Sequence, residues 1–159
     1  MHKADLGAIP CSLSRTLQIV GEWWALLVLR DVTMGWNRFD EIHEHLGIAR
    51  NILKARLDTL VDQGMVERRL YQTRPDRYEY LPTDKARDFV PALLALVAWG
   101  DRWTAFDGPP ILFTHEVCGH DMHAAVVCSE CGSPFSRDEL AFRPGPGLPD
   151  PSEAAPPNR

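Results

Sequence analysis

An α+β fold, mainly α, follows from three observations on this 159-residue sequence. Apolar residues recur at helical spacing in four stretches before residue 64 and in one long stretch after residue 83. Between them lie two short, aromatic, partly alternating runs separated by turn residues, the pattern of a single β-hairpin. After residue 103 the composition changes, and a cysteine- and histidine-bearing appendage begins.

Residues 1–10 read as a flexible arm. Cys11 to Val20 reads as a short helix with Leu13, Leu17 and Val20 on one side, broken by Gly21. Residues 22–34 (EWWALLVLRDVTM) are apolar almost all round, so this helix is expected at the centre, with Trp24, Leu27 and Val28 in the core. Gly35 ends it, and Trp36-Asn37 makes a turn. Arg38 to Leu46 is a short helix with Phe39, Ile42 and Leu46 inward. His43 and His45 fall on its polar side and read as solvent-exposed, with no chemistry assigned.

Gly47-Ile48 then makes a tight turn into GIARNILKARLDTLVDQG, residues 47–64, in which Leu53, Leu57, Leu60 and Val61 form an apolar stripe. Two helices joined by so short a glycine-bearing turn fit a helix-turn-helix. Arg50, Asn51 and Lys54 lie opposite the stripe in the first half of the helix, Asp58 and Asp62 in the second. A helix basic only at its N-terminal end suits a major groove, where its first turns meet base edges and phosphates. Ala49, Arg50, Asn51 and Lys54 are therefore candidate DNA contacts. A solvated helix face is the competing reading of the same charges.

Met65–Tyr71 and Arg77–Leu81 are the hairpin strands, with Gln72-Thr73-Arg74-Pro75-Asp76 as the turn. Arg74 and Arg77 at its tip make it a wing suited to phosphate or the minor groove. Hairpin tips are also charged for solubility alone, but here helix and hairpin are adjacent and share a sign. Pro82 stops the strand, and Thr83 is a natural N-cap for a helix over about 84–103. That helix carries Phe89, Leu93, Leu94, Leu96, Val97, Trp99 and Trp103, more apolar surface than one small winged domain covers, so a homodimer interface is expected. Pro91 predicts a kink or break.

The net charge of −5 is unevenly placed. Residues 1–103 hold 14 basic and 14 acidic residues, whereas 104–159 hold 3 and 8. Residues 47–87 carry 9 basic against 6 acidic, and local charge governs phosphate contact, so the acidic chain as a whole does not argue against DNA. No stretch is apolar enough to span a membrane and no signal-peptide pattern opens the chain, so a cytoplasmic protein with no membrane partner is expected. Paired carboxylates in a pocket, a phosphate loop and a nucleophile–base set are all missing from the pattern, so the chain is not read as an enzyme.

From Cys11 to Trp103 the chain resembles the HxlR-type winged helix-turn-helix transcriptional regulators, which are related to the MarR type. The resemblance rests on ordered pieces: Cys11, Gly21-Glu22-Trp23-Trp24-Ala25-Leu26-Leu27-Val28-Leu29-Arg30, Arg38-Phe39-Asp40-Glu41-Ile42, and Leu53-Lys54-Ala55-Arg56-Leu57 with Leu60. Gly64-Met65-Val66-Glu67-Arg68, Tyr71, Pro75, Tyr78-Glu79-Tyr80 and Trp99-Gly100-Asp101-Arg102-Trp103 complete it. It implies a homodimer on a pseudo-palindromic operator of double-stranded DNA, acting as repressor or activator. Arg56 matches a frequent family arginine and joins the DNA-contact candidates, although at the edge of the apolar arc it suits a carboxylate or phosphate better than a base. Some members sense oxidants or electrophiles through the cysteine at the position of Cys11. The resemblance thus leaves a small-molecule or redox effector open, against the plainer reading of Cys11 as a small residue at a helix start. Gly21-Glu22-Trp23-Trp24 departs from the family's Gly-Gly-Lys-Trp run, and Leu81-Pro82-Thr83 from its Leu-Thr pattern; neither touches the proposed DNA face.

Residues 104–142 form the appendage, and Asp107-Gly108-Pro109-Pro110 marks a break within its start. His115-Glu116-Val117-Cys118-Gly119 and Cys128-Ser129-Glu130-Cys131-Gly132 share one form, a donor, two spacers, Cys, Gly, with nine residues between Cys118 and Cys128. Two donors so spaced clasp one ion, and the glycine frees the backbone to point N–H groups at sulfur. His115, Cys118, Cys128 and Cys131 together make a closed tetrahedral set for one structural Zn²⁺, which leaves no open position for hydrolysis. The linker is shorter than in common zinc ribbons, and His120 and His123 could substitute for His115. The competing reading is a metal-free tail, loosely packed or closed by a disulfide. Residues 143–159 are proline-rich and poor in apolar side chains, and are expected to be disordered. A second functional class also fits: a protein-interaction module with the winged domain as scaffold and the knuckle as docking surface.

Overall fold

A computed structural model of the chain describes residues 9–104 and 107–148. The arm expected over 1–10 falls mostly outside these, as do residues 149–159 of the expected disordered tail; residues 143–148 carry neither helix nor strand. In chain order come α1 (Ser12–Val20), α2 (Trp23–Thr33), α3 (Phe39–Leu46), α4 (Arg50–Asp62), β1 (Val66–Gln72), β2 (Arg77–Pro82), α5 (Asp84–Trp103), β3 (Phe113–His115) and β4 (His120–Met122). A 3-10 turn at Arg137–Glu139 follows. Among the described residues no helix is long and apolar enough to cross a membrane.

The expected centre is the centre. α2 touches α1, α3, α4, α5 and β2, and its Ala25, Val28, Leu29 and Val32 are buried. Around them close Ile42 of α3, Leu53, Leu57 and Leu60 of α4, and Ile48, Met65, Val66, Tyr80 and Ala86. Leu27, expected in this core, is instead 38% exposed, because the wall it faces is not covered by its own chain; Trp24 packs against the core only in part.

α2 also carries a fully buried carboxylate, Asp31. The Nε and Nη2 of Arg30 donate to its Oδ1 at 3.0 and 2.7 Å, and His45 of α3 bonds its Oδ2 through Nδ1 at 2.7 Å. The His45 ring stacks on Trp36, with centroids 3.9 Å apart and planes 15° from parallel. His43 Nδ1 bonds the Ile48 carbonyl at 2.7 Å. His45 is exposed, as expected, and His43 half-buried, yet both are also structural, His45 fixing α3 to α2 and His43 closing the turn into α4. Their partners are distant in sequence or are backbone atoms, which helical periodicity does not reveal.

β1 and β2 pair antiparallel from Val66↔Pro82 to Gln72↔Arg77, with an irregularity between Leu70 and Gln72. Trp36-Asn37 is more than a turn. The Tyr80 N–H donates to the Asn37 carbonyl at 2.7 Å, and Arg38 forms an isolated bridge with Glu79, so the segment before α3 is tied to β2 of the wing. Thr83 caps α5 as expected, its hydroxyl accepting from the Ala86 N–H and donating to the Gly64 carbonyl at 2.8 Å. Of the kink or break expected at Pro91, the break does not occur: α5 runs unbroken through it to Trp103. A single proline removes one backbone hydrogen bond, and the other turns of a 20-residue helix hold it together.

In the appendage, β3 and β4 pair antiparallel from Phe113↔Met122 to His115↔His120. A cleft of about 670 Å³ separates this hairpin from the C-terminal half of α5, lined by Leu94, Trp99, Trp103, Ile111, Phe113 and Met122 among others.

Candidate nucleic-acid interface

The geometry that presents the first turn of α4 begins at Gly47. It ends α3 in the left-handed region, with φ +61°, a conformation glycine adopts without the steric cost other residues meet. Its N–H closes on the His43 carbonyl at 3.0 Å, and Ile48 plugs the core at 1% exposure. The chain therefore reverses in two residues and enters α4 at Ala49. Leu53, Leu57 and Leu60 pin the inner face of the helix, so the opposite face stands outward.

The start of α4 differs from that of α3. Arg38 and Glu41 cap α3, with Asp40 and Glu41 in its first turn. α4 opens on Ala49, which offers no side-chain acceptor, and has no acid in its first turn. Its leading N–H groups and the positive end of its dipole are left for an outside acceptor such as phosphate.

Arg50, Asn51 and Lys54 are exposed on this face. Arg50 Nη2 lies 2.5 Å from Asp40 Oδ1 on α3, and its guanidinium sits 5.2 Å from the centre of the Phe39 ring. Lys54 pairs with Asp58 one turn on, at 2.5 Å. The Asn51 side chain makes no hydrogen bond among the described residues, leaving its amide free for a base edge. Ile52, 36% exposed, lies next to it and off the buried stripe. It is an apolar candidate for a thymine methyl that charge-based reading passed over.

Arg56 does not belong to this face. Its side chain is 24% exposed, and Nη2 pairs with Glu22 Oε2 at 3.3 Å, just before α2. Of the partners the sequence left open, a carboxylate of the same chain holds it. At the edge of the apolar arc the guanidinium is turned toward the α2 end of the core.

The wing supplies the second group of cations. Arg74 at the tip and Arg77 at the start of β2 are exposed and without an ion-pair partner among the described residues. Arg74 has φ 65° and precedes a cis Pro75. Arg68 lies over Tyr78 and Arg38 over Tyr71, while Arg69 pairs with Glu79 at 2.7 Å. The wing thus carries free cations at its end and engaged ones along its strands.

The four cysteines are free thiols. Cys11, the N-cap of α1, is exposed. In the appendage, Cys118 Sγ lies 3.4 Å from His115 Nδ1. The Cys131 thiol is held below its ordinary pKa by the Ser133 backbone N–H first, then by the Ser133 hydroxyl and the Cys128 thiol. The structure therefore brings together each half of the expected metal set. Among the described residues, no three of the His, Cys, Asp and Glu side chains stand in a metal-holding group. His120 pairs across from His115 in the hairpin, and His123 lines the cleft beside α5.

Residues 19–107 match the model of the HxlR-like helix-turn-helix family. An uncharacterized HTH-type transcriptional regulator of Mycobacterium tuberculosis is 38% identical over 138 residues, 86% of this chain and 87% of that protein. Among solved structures, PA1607, described as a putative transcription factor, superposes with a TM-score of 0.73 at 31% identity, covering 84% of this chain and 94% of its own. The redox regulator HypR in its reduced form gives a TM-score of 0.54 at 26% identity, covering 58% of this chain and 92% of its own. Alignments over 84% and 86% of the chain cannot fit within residues 1–107, so these relatives extend into the appendage.

Proposed function

The chain belongs to the HxlR-like helix-turn-helix family of transcriptional regulators, and from that premise we propose that it acts as a homodimer on a pseudo-palindromic operator. Each protomer lays the first turns of α4 in a major groove and sets the tip of its β1–β2 wing on the flanking minor groove or backbone. The observation that carries this reading is the uncapped, acid-free start of α4, with Arg50, Asn51 and Lys54 exposed on its outward face. Arg50 suits guanine and Asn51 adenine, by their bidentate donor and acceptor patterns. Arg74 and Arg77 are free to meet phosphate.

Pairing is supported by apolar side chains that the chain leaves uncovered. Leu13 and Leu17 on α1 are 65% and 42% exposed, and Leu96, Trp99 and Trp103 on α5 are 54–64% exposed. Helices with such exposed faces are suited to a two-fold interface, which would set two reading helices one helical turn of DNA apart, about 34 Å. The alternative of a protein-interaction module, with the winged domain as scaffold and the knuckle as docking surface, is less favoured, because Arg50, Asn51, Lys54, Arg74 and Arg77 are all exposed as DNA contact requires. Redox control through Cys11 is not part of the proposal: its thiol is exposed with no second cysteine paired to it.

The test is fluorescence anisotropy of the full chain on DNA from upstream of its own gene against a shuffled duplex, across a salt series, with sedimentation to give the mass of the free and bound protein. Tight, salt-sensitive preference for the upstream DNA by a dimer is expected. A monomer that binds neither duplex at low salt would overturn the proposal.

A further inference from the structure

We propose that the appendage is a zinc-stapled module in which His115, Cys118, Cys128 and Cys131 hold one structural Zn²⁺ per chain. The inference is independent of the DNA reading and rests on three observations.

The first is that the appendage folds without a core. β3 and β4 form a hairpin, and Val127 bridges Pro134 to close a second one, yet no residue from 107 to 148 is buried. Phe113, Met122, Ala124 and Cys128 are the half-buried exceptions. A segment that buries so little apolar surface does not offset its loss of chain entropy, and small modules of this kind use a metal or disulfides instead.

The second is that the donors occupy equivalent places. His115 and Cys118 sit at the tip of the first hairpin, Cys128 and Cys131 at the tip of the second. Each tip turns in the same way. The Gly119 N–H donates to the His115 carbonyl at 2.8 Å and the Gly132 N–H to the Cys128 carbonyl at 2.9 Å, and both glycines have φ +71°. Left-handed glycines after the second donor of each pair are what let the following N–H groups turn back toward sulfur.

The third is a distance. A tetrahedral zinc with Zn–S near 2.3 Å and Zn–N near 2.0 Å sets a sulfur and a nitrogen donor about 3.5 Å apart. His115 Nδ1 and Cys118 Sγ are 3.4 Å apart. The first pair already has the spacing of one edge of the coordination tetrahedron.

Closing the set requires the two tips to approach each other. Residues 123–126 between them have no regular structure, so the approach breaks no strand pairing. Four protein donors fill a tetrahedral ion, which makes the metal a staple and not a catalyst. Binding displaces the protons of three thiols and gives a site of net charge −1.

The test uses the full chain purified with reductant. Elemental analysis after desalting is expected to give one zinc per chain. Replacement by Co²⁺ is expected to give the intense visible bands of a tetrahedral ion with thiolate-to-cobalt charge transfer. Cys118→Ser and Cys131→Ser should each weaken retention by at least about tenfold, since loss of even a supporting residue costs that much. His115→Cys keeps four donors and should retain the ion; Cys11→Ser should change nothing. Chelation should open residues 107–148 to amide exchange while the winged domain stays protected. A metal-free protein that does not take up cobalt, or whose mass is lower by two hydrogen atoms as in a disulfide, would overturn the proposal. So would zinc retained undiminished by both cysteine variants.

Discussion

The guanidinium of Arg50, at the head of the outward helix, is held 2.5 Å from the carboxylate of Asp40 on the helix before it. Both side chains are about 60% exposed, so the pair contributes on the order of 0–1 kcal/mol to the fold. Its effect is on the interface. In the proposed complex Asp40 would aim the guanidinium and place a negative charge beside the approaching phosphates. Asp40→Ala is expected to leave the unfolding midpoint nearly unchanged, raise affinity for shuffled DNA, and shrink the ratio of specific to non-specific binding. Anisotropy on both duplexes measures this directly, and an unchanged ratio would remove Asp40 from the interface.

Arg74 and Arg77 have no ion-pair partner among the described residues to give up on binding, so their loss should appear chiefly as electrostatics. Arg74→Ala and Arg77→Ala are each expected to weaken binding to operator and shuffled DNA alike. Each should lower the slope of log K against log salt by about 1, the value for one phosphate contact. A slope equal to that of the unmodified protein would mean that the wing tip does not touch the backbone.

Asp31 is a stability residue. Replacing it with Ala strands Arg30 and His45, which are themselves 28% and 37% exposed and can regain some water. A loss of about 2–3 kcal/mol is expected, in the range for hydrogen bonds to a charged group. Urea unfolding should show it as a lower midpoint at an unchanged slope.

Tyr80 is 7% exposed, and burial first of all raises its hydroxyl above the ordinary value of 10.0. Above that pH the unfolded chain gives up the proton while the folded one retains it. Stability tied to this group is therefore intact below about pH 10 and declines as pH rises from there toward the folded value. Tyr80→Phe should unfold at nearly the same temperature as the unmodified protein at neutral pH and should lose less stability above pH 10. Thermal melts between pH 8 and 11 would check it.

What the sequence revealed depended on period and punctuation. Leu53, Leu57 and Leu60 mark a helix face, Gly47 a turn and Thr83 a cap, and each falls where the pattern puts it. Pairings between distant residues have no such signature. Asp31 and His45, 14 residues apart, join two helices, Asp40 with Arg50 spans the turn, and Arg56 is drawn off the outward face of α4 by Glu22. Periodicity also misplaced Leu27: a helix apolar on every side does not say which side its own chain will cover. For the appendage, spacing identified the two donor pairs, while the approach of one pair to the other depends on three-dimensional placement that spacing does not fix.

The most direct measurement of the central claim compares the unmodified chain with Arg50→Ala and Asn51→Ala on its operator and on shuffled DNA at one salt concentration. If α4 reads bases, each substitution costs about 1–3 kcal/mol on the operator, roughly 5- to 150-fold, and far less on the shuffled duplex. Operator binding by both variants equal to that of the unmodified protein would contradict the assignment of α4 as the reading helix.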